Sequence, residues 1–213
     1  MNDMAAIYFM YLVAATSLAF YYFGIGFGIG LAIGLVRVLV EAVMSWFKLN
    51  NYFQQKADQG DTQAQLNLAS MYANGRGVGV PQDDRQAVAW YQKAADQGNA
   101  DAQNNLGDMY YKGTCVAKDY RLAVAWWQKA ADQGNALAQF KLGVAYQDGQ
   151  GVEHDLCQAL AWYRKAANQG LADAQLNLGT MYANGLGVAQ DMKEAKKWWS
   201  LSAGKGKMVD WLG

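Results

Sequence analysis

The chain has 213 residues, with 18 basic and 18 acidic side chains, one histidine, two cysteines and one proline. Balanced charge with no long run of either sign excludes the basic footprint that nucleic-acid binding needs. Two cysteines and a single histidine exclude a disulfide framework and a cysteine–histidine metal cluster.

The chain begins with a segment unlike the rest. Between Asp3 and Arg37 no residue is charged, and an apolar run above about 18 residues predicts a transmembrane helix. Residues 4–36 as one helix would reach roughly 50 Å at about 1.5 Å per residue, against a hydrocarbon core of about 30 Å. The helix is therefore expected to tilt, protrude or break within the glycine-dense part, Gly24–Gly34. The leader Met-Asn-Asp-Met lacks the basic residues of a secretory signal, which favours an uncleaved anchor.

Arg37 and Lys48 on the C-terminal flank place the rest of a single-pass protein in the cytoplasm by the positive-inside tendency. A helical hairpin, residues 4–22 and then 24–43, is the alternative topology, at the cost of holding Arg37 and Glu41 near the bilayer. Gly26, Gly30 and Gly34 recur at i, i+4 and i+8, a small-residue stripe against which a second transmembrane helix can pack. The stretch GIGFGIGLAIG lacks the Lys-Ser/Thr of a phosphate loop and the strand–helix context of a dinucleotide fingerprint. No cofactor is expected.

The remainder repeats. AVAWYQKAADQG at Ala87–Gly98 returns as AVAWWQKAADQG (Ala123–Gly134) and ALAWYRKAANQG (Ala159–Gly170), and degraded as AKKWWSLSAGKG (Ala195–Gly206). An echo, YFQQKADQG, ends at Gly60. The closing glycines Gly60, Gly98, Gly134, Gly170 and Gly206 are spaced 38, 36, 36 and 36 residues apart. A fixed period of this size predicts a solenoid of two-helix units, each burying its apolar face against the next. The extra Gly79-Val80 in the first link accounts for the 38.

The first helix of each unit is expected to stop at Gly75, Gly113, Gly149 or Gly185, as helix C-caps. The second is expected to start at an N-cap aspartate: Asp83, Asp119, Asp155 or Asp191. Gln86, Gln158 and Glu194 follow three residues later, predicting capping boxes in three of the four units. The recurring Trp90, Trp126, Trp162 and Trp198 are expected inside, between layers. Cys115 and Cys157 occupy different repeat positions and are expected to be free thiols. Residues 1–47 thus read as anchor and juxtamembrane helix, 48–60 as a half repeat and 61–206 as four units. Residues 207–213 read as a C-terminal cap, with Trp211 and Leu212 packing inward.

The unit AQxNLGxMYANGxGVxxD…AxxWYxKAAxQG resembles the Sel-1-like repeat, a relative of the tetratricopeptide repeat, over about Asp61–Gly206. The resemblance implies an all-α fold, antiparallel helix pairs stacked into a right-handed superhelix with the first helices lining the concave side. It also implies a non-enzymatic adaptor that assembles protein complexes, often at membranes. Cys115 departs from the pattern, standing where Gly77, Gly151 and Gly187 stand elsewhere. Unit four loses alanines in its last helix, where Lys196, Lys197 and Ser202 appear.

Comparing the units separates fixed positions from variable ones. Ala64, Leu68 and Tyr72 recur as Ala102, Leu106 and Tyr110, as Ala138, Leu142 and Tyr146, and as Ala174, Leu178 and Tyr182. At about 100° per residue these share one packing face. The opposite face varies: Leu66, Ser70 and Ala73; Asn104, Asp108 and Tyr111; Phe140, Val144 and Gln147; Leu176, Thr180 and Ala183. On a concave side these twelve would line a groove, apolar enough to take a peptide or helix segment of a protein partner. The sequence therefore predicts a membrane-anchored scaffold; the alternative is an accessory subunit held in a membrane complex by its glycine-striped helix. No nucleophile–base set, metal cluster or phosphate loop points to catalysis.

Overall fold

A computed structural model describes residues 51–75 and 82–204, together with positions 37, 38, 40, 41 and 44, all five helical. The expected transmembrane segment, its Gly26, Gly30 and Gly34, and the expected cap at 207–213 lie outside the described residues. Among the described residues no helix is long and apolar enough to cross a membrane.

The described chain is all helix and turn. Residues 51–58 form α1. Four antiparallel pairs follow: α2 (Thr62–Asn74) with α3 (Asp84–Asp96), α4 (Ala100–Lys112) with α5 (Tyr120–Asp132), α6 (Ala136–Asp148) with α7 (Leu156–Asn168), and α8 (Ala172–Asn184) with α9 (Met192–Ser202). Each helix touches the one before and the one after it, so the pairs stack as a solenoid.

Local chemistry sets the boundaries. Asp61, Asn99 and Asn135 accept the third-residue amides of α2, α4 and α6, at 2.8, 2.8 and 2.9 Å. α8 begins after Leu171 without a side-chain cap. The first helices end, as expected, on Gly75, Gly113, Gly149 and Gly185 in the left-handed region, which glycine reaches without a Cβ clash.

The aspartates cap as expected: each of Asp83, Asp119, Asp155 and Asp191 accepts two amides of its helix's first turn. The expected capping box, however, forms only half. Each aspartate's own N–H donates to a tyrosine carbonyl of the preceding helix: Tyr72, Tyr110, Tyr146 and Tyr182, at 2.9–3.0 Å. That bond leaves Gln86, Gln158 and Glu194 no donor to answer; Glu194 accepts from Lys197 instead. The aspartate is therefore a pin between the two helices of a unit as well as a cap.

The core runs between layers. Buried alanines of one second helix (Ala123, Ala130, Ala131) meet Ala138 and Leu142 of the next first helix, with Trp162 of the following second helix completing the cluster. Trp126 packs likewise on the cluster one layer earlier, and Trp198 on the one after. Trp90 and Trp162 are buried, whereas Trp126 and Trp198 are half-buried. The exposed edges of the ladder are covered by lysines one turn on: Lys93, Lys129 and Lys165 sit 3.7–3.8 Å from the ring centres of Trp90, Trp126 and Trp162.

Candidate protein-binding face

In units two to four the two helices of a pair approach at a glycine. A Cβ at Gly107 would lie 2.5 Å from the Trp127 ring, one at Gly143 2.5 Å from Tyr163 and one at Gly179 2.6 Å from Trp199. The ring so admitted alternates along the chain as Tyr91, Trp127, Tyr163 and Trp199, and each ring's polar atom finds a partner on its own first helix. The Tyr91 hydroxyl meets Ser70 Oγ at 3.1 Å, and Trp127 Nε1 donates to Asp108 at 3.1 Å. The Tyr163 hydroxyl donates to Gln147 at 3.1 Å, and Trp199 Nε1 donates to the Leu176 carbonyl at 3.3 Å.

This pairing explains part of the variation along the first helices. Ser70, Asp108 and Gln147, drawn from two different repeat positions, each serve the ring opposite, because a buried N–H or O–H needs a partner. Burial in a low-dielectric interior disfavours the phenolate, so it raises the Tyr91 pKa and pushes Tyr163 up to about 12.

The twelve variable positions do not form one open surface. Leu66, Asn104 and Ala183 are buried; Ser70, Ala73, Asp108, Tyr111, Phe140, Val144 and Gln147 are half-buried; Leu176 and Thr180 are exposed. Tyr111 lies against Trp127 and Tyr120, with ring centres 5.4 and 5.2 Å away, and its hydroxyl donates to Gln150 at 2.9 Å. Phe140 lies 5.7 Å from the Tyr163 ring. Leu176 is 50% exposed, the barest apolar side chain of the set.

Lys141 reaches from α6 across to α4, where its ammonium donates to Asn104 at 2.8 Å and meets both Asp108 oxygens at 2.6 and 2.7 Å. Burial holds its pKa below the ordinary lysine value, and Asp108 offsets only part of that. Asn104, Asp108, Lys141 and Trp127 thus form one polar knot between units two and three. Among the described residues no group of three or more histidine, cysteine, aspartate and glutamate side chains could hold a metal.

A second set of repeated residues escaped the sequence reading. Gln65, Gln103, Gln139 and Gln175 are buried, and each donates to an alanine carbonyl of the preceding second helix: Ala57, Ala95, Ala131 and Ala167, at 3.0–3.2 Å. Gln97, Gln133 and Gln169, at the ends of the second helices, donate back to the first three, at 2.7, 2.7 and 2.8 Å. A glutamine pair thus ties three successive helices. The signal was available: glutamine recurs at the repeat period at both positions, which in a helix otherwise packed with alanine and leucine marks a polar group with a fixed partner.

The Sel1 repeat family matches residues 62–99, 100–135, 136–171 and 172–207, in step with the four helix pairs. The fold is similar to that of a Sel1 repeat protein from Oxalobacter formigenes, at 36% identity over 75% of this chain and TM-score 0.69. It is also similar to a protective antigen of uropathogenic Escherichia coli with an SLR fold, at 36% identity over 74% of this chain and TM-score 0.55. The chain spans 64% of the first protein's length and 41% of the second's. A Sel1 repeat protein of Klebsiella pneumoniae matches at 28% identity over 72% of this chain and 73% of its own length, with TM-score 0.53. No curated protein matches the chain. With four family matches laid end to end on four helix pairs, the chain belongs to the Sel1 repeat family.

Proposed function

We propose that this protein is a membrane-held scaffold that recruits a protein partner along the first-helix face of its repeats. Sel1 repeat proteins in general mediate protein–protein contacts. The observation that carries the reading here is the graded face of α4, α6 and α8. Tyr111, Phe140 and Val144 are partly open to solvent, Leu176 is exposed, and the Lys141–Asp108 pair is set among them. Apolar area at the centre with a few fixed polar groups suits a peptide or helical segment. The uncharged stretch before Arg37 supports the membrane part, and the flanking Arg37 and Lys48 support a cytoplasmic side for the repeats.

Leu176→Glu is the informative substitution, because it charges the face without touching the core. Purified from membranes in mild detergent, the variant is expected to lose a partner that the parent chain retains, at unchanged melting temperature. The same partner held equally by both would refute the groove. Retention of the chain in the membrane after an alkaline carbonate wash tests the anchor separately.

A further inference from the structure

An aromatic plug closes the cleft between units two and three. Tyr111 of α4 fills it, with its ring centre 5.4 Å from Trp127 and 5.2 Å from Tyr120, and its hydroxyl donates to Gln150 at 2.9 Å. The repeat register gives each of these residues a counterpart one layer earlier. Ala73 stands for Tyr111, Tyr91 for Trp127, Asp84 for Tyr120 and Thr114 for Gln150. Between units one and two, then, the walls of the seat are kept and the ring that would fill it is replaced by a methyl group.

The space stays open. Ala73, Tyr91, Asp84 and Thr114 all line a cavity of about 420 Å³, inside the range of about 300–1,000 Å³ typical of ligand sites. Buried Met109 belongs to the same lining. Asp84 accepts from Gln82 at 3.2 Å, so this wall is richer in acceptors than the one Tyr111 meets. The charges on it cancel: Asp108 is answered by Lys141, and Asp84 and Lys112 are of opposite sign. An uncharged occupant carrying a hydrogen-bond donor suits such a wall.

We infer that this cavity receives the tyrosine side chain of a protein partner, seated as Tyr111 is seated one layer on. The ring lies against Tyr91, and the phenol donates to Thr114, the counterpart of Gln150. A bare phenyl leaves that polar end unanswered, so tyrosine is preferred to phenylalanine. Ala73 and Asp108 both belong to the first-helix face, so the inference rests on the proposed function and names an anchor residue for the partner. Its test needs no partner, and the two readings can fail separately.

The probe is N-acetyltyrosinamide, titrated into the full-length protein in detergent micelles and followed by the methyl resonances of Ala73 and Met109. Saturable shifts in the millimolar range are expected, with N-acetylphenylalaninamide bound about fivefold more weakly. Ala73→Tyr plugs the cavity from within, as unit two does, and is expected to abolish the Met109 shifts without lowering the melting temperature. Thr114→Val is expected to shrink the preference for tyrosine, and Leu176→Glu to leave binding unchanged. Absence of saturable shifts, or undiminished binding to the folded Ala73→Tyr protein, would overturn the inference. So would equal binding of the two probes, or a tyrosine preference untouched by Thr114→Val. Tighter binding of free tyrosine than of its N-acetyl amide would overturn it as well, by assigning the cavity to a free amino acid.

Discussion

Gln169 donates its side-chain amide to Gln139 over 2.8 Å, across 30 residues of sequence, while Gln139 donates onward to the carbonyl of Ala131. The pair joins α5, α6 and α7, and its equivalents join the layers before it. Stacking in this protein therefore has a directional polar component on top of the apolar contact between layers. That component fixes the register in which alanine-lined helices, smooth enough to slide, come to rest.

Gln139→Leu preserves size but removes two hydrogen bonds, leaving the Gln169 amide with the Gly134 carbonyl and the Ala131 carbonyl with the Gly134 N–H. Lost hydrogen bonds cost about 0.5–1.5 kcal/mol each, so a loss of about 1–3 kcal/mol is expected in urea denaturation. Gln63→Leu, at an exposed site on α2, should lie within about 0.5 kcal/mol of the parent.

Gly143→Ala should destabilise although alanine is the better helix former. Its Cβ would meet the Tyr163 ring at 2.5 Å, and Tyr163 is 0% exposed, with nowhere to retreat. Overpacking of about 1–3 kcal/mol outweighs the roughly 1 kcal/mol gained in propensity. The melting temperature is the readout.

Cys115 holds a left-handed backbone, φ 55°, where units three and four place Gly151 and Gly187. A non-glycine residue there costs about 1–2 kcal/mol. Cys115→Gly is therefore expected to stabilise the protein by about 1 kcal/mol, read as a higher urea midpoint at constant slope.

The polar knot predicts an asymmetry. Asp108→Ala leaves the half-buried Lys141 ammonium with only Asn104 and strands Trp127 Nε1, a loss of about 1–3 kcal/mol. Lys141→Met removes the charge whose burial is unfavourable and should cost less. A calorimetric comparison of the two variants decides it.

Alkaline pH should unfold the protein by way of Tyr163. Its folded pKa, about 12, lies above the ordinary 10.0, so the stabilisation is complete below pH 10 and is lost as pH rises towards 12. Tyr163→Phe gives up the bond to Gln147 but is expected to flatten the decline between pH 10 and 12, measured by circular dichroism.

The architecture was legible because each unit cannot bury its face alone, so the repeat period itself dictates stacking. Aspartate caps and terminal glycines were legible for the same reason: backbone groups at helix ends need local partners. The capping box misled because the competing acceptor, the Tyr72 carbonyl for Asp83, sits on another helix and leaves no trace in residue type. The variable positions misled in part for a different reason. Asp108 and Gln147 vary to satisfy Trp127 and Tyr163, an internal match that looks like surface drift until the rings are placed.

On the proposed reading, one face of an intact stack recruits a protein. Purification of the full chain and its Leu176→Glu variant from membranes in mild detergent, with bound protein quantified by mass spectrometry, tests it most directly. Loss of a stoichiometric companion from the variant, at matched melting temperature, is the predicted result. An identical companion on both chains would contradict it.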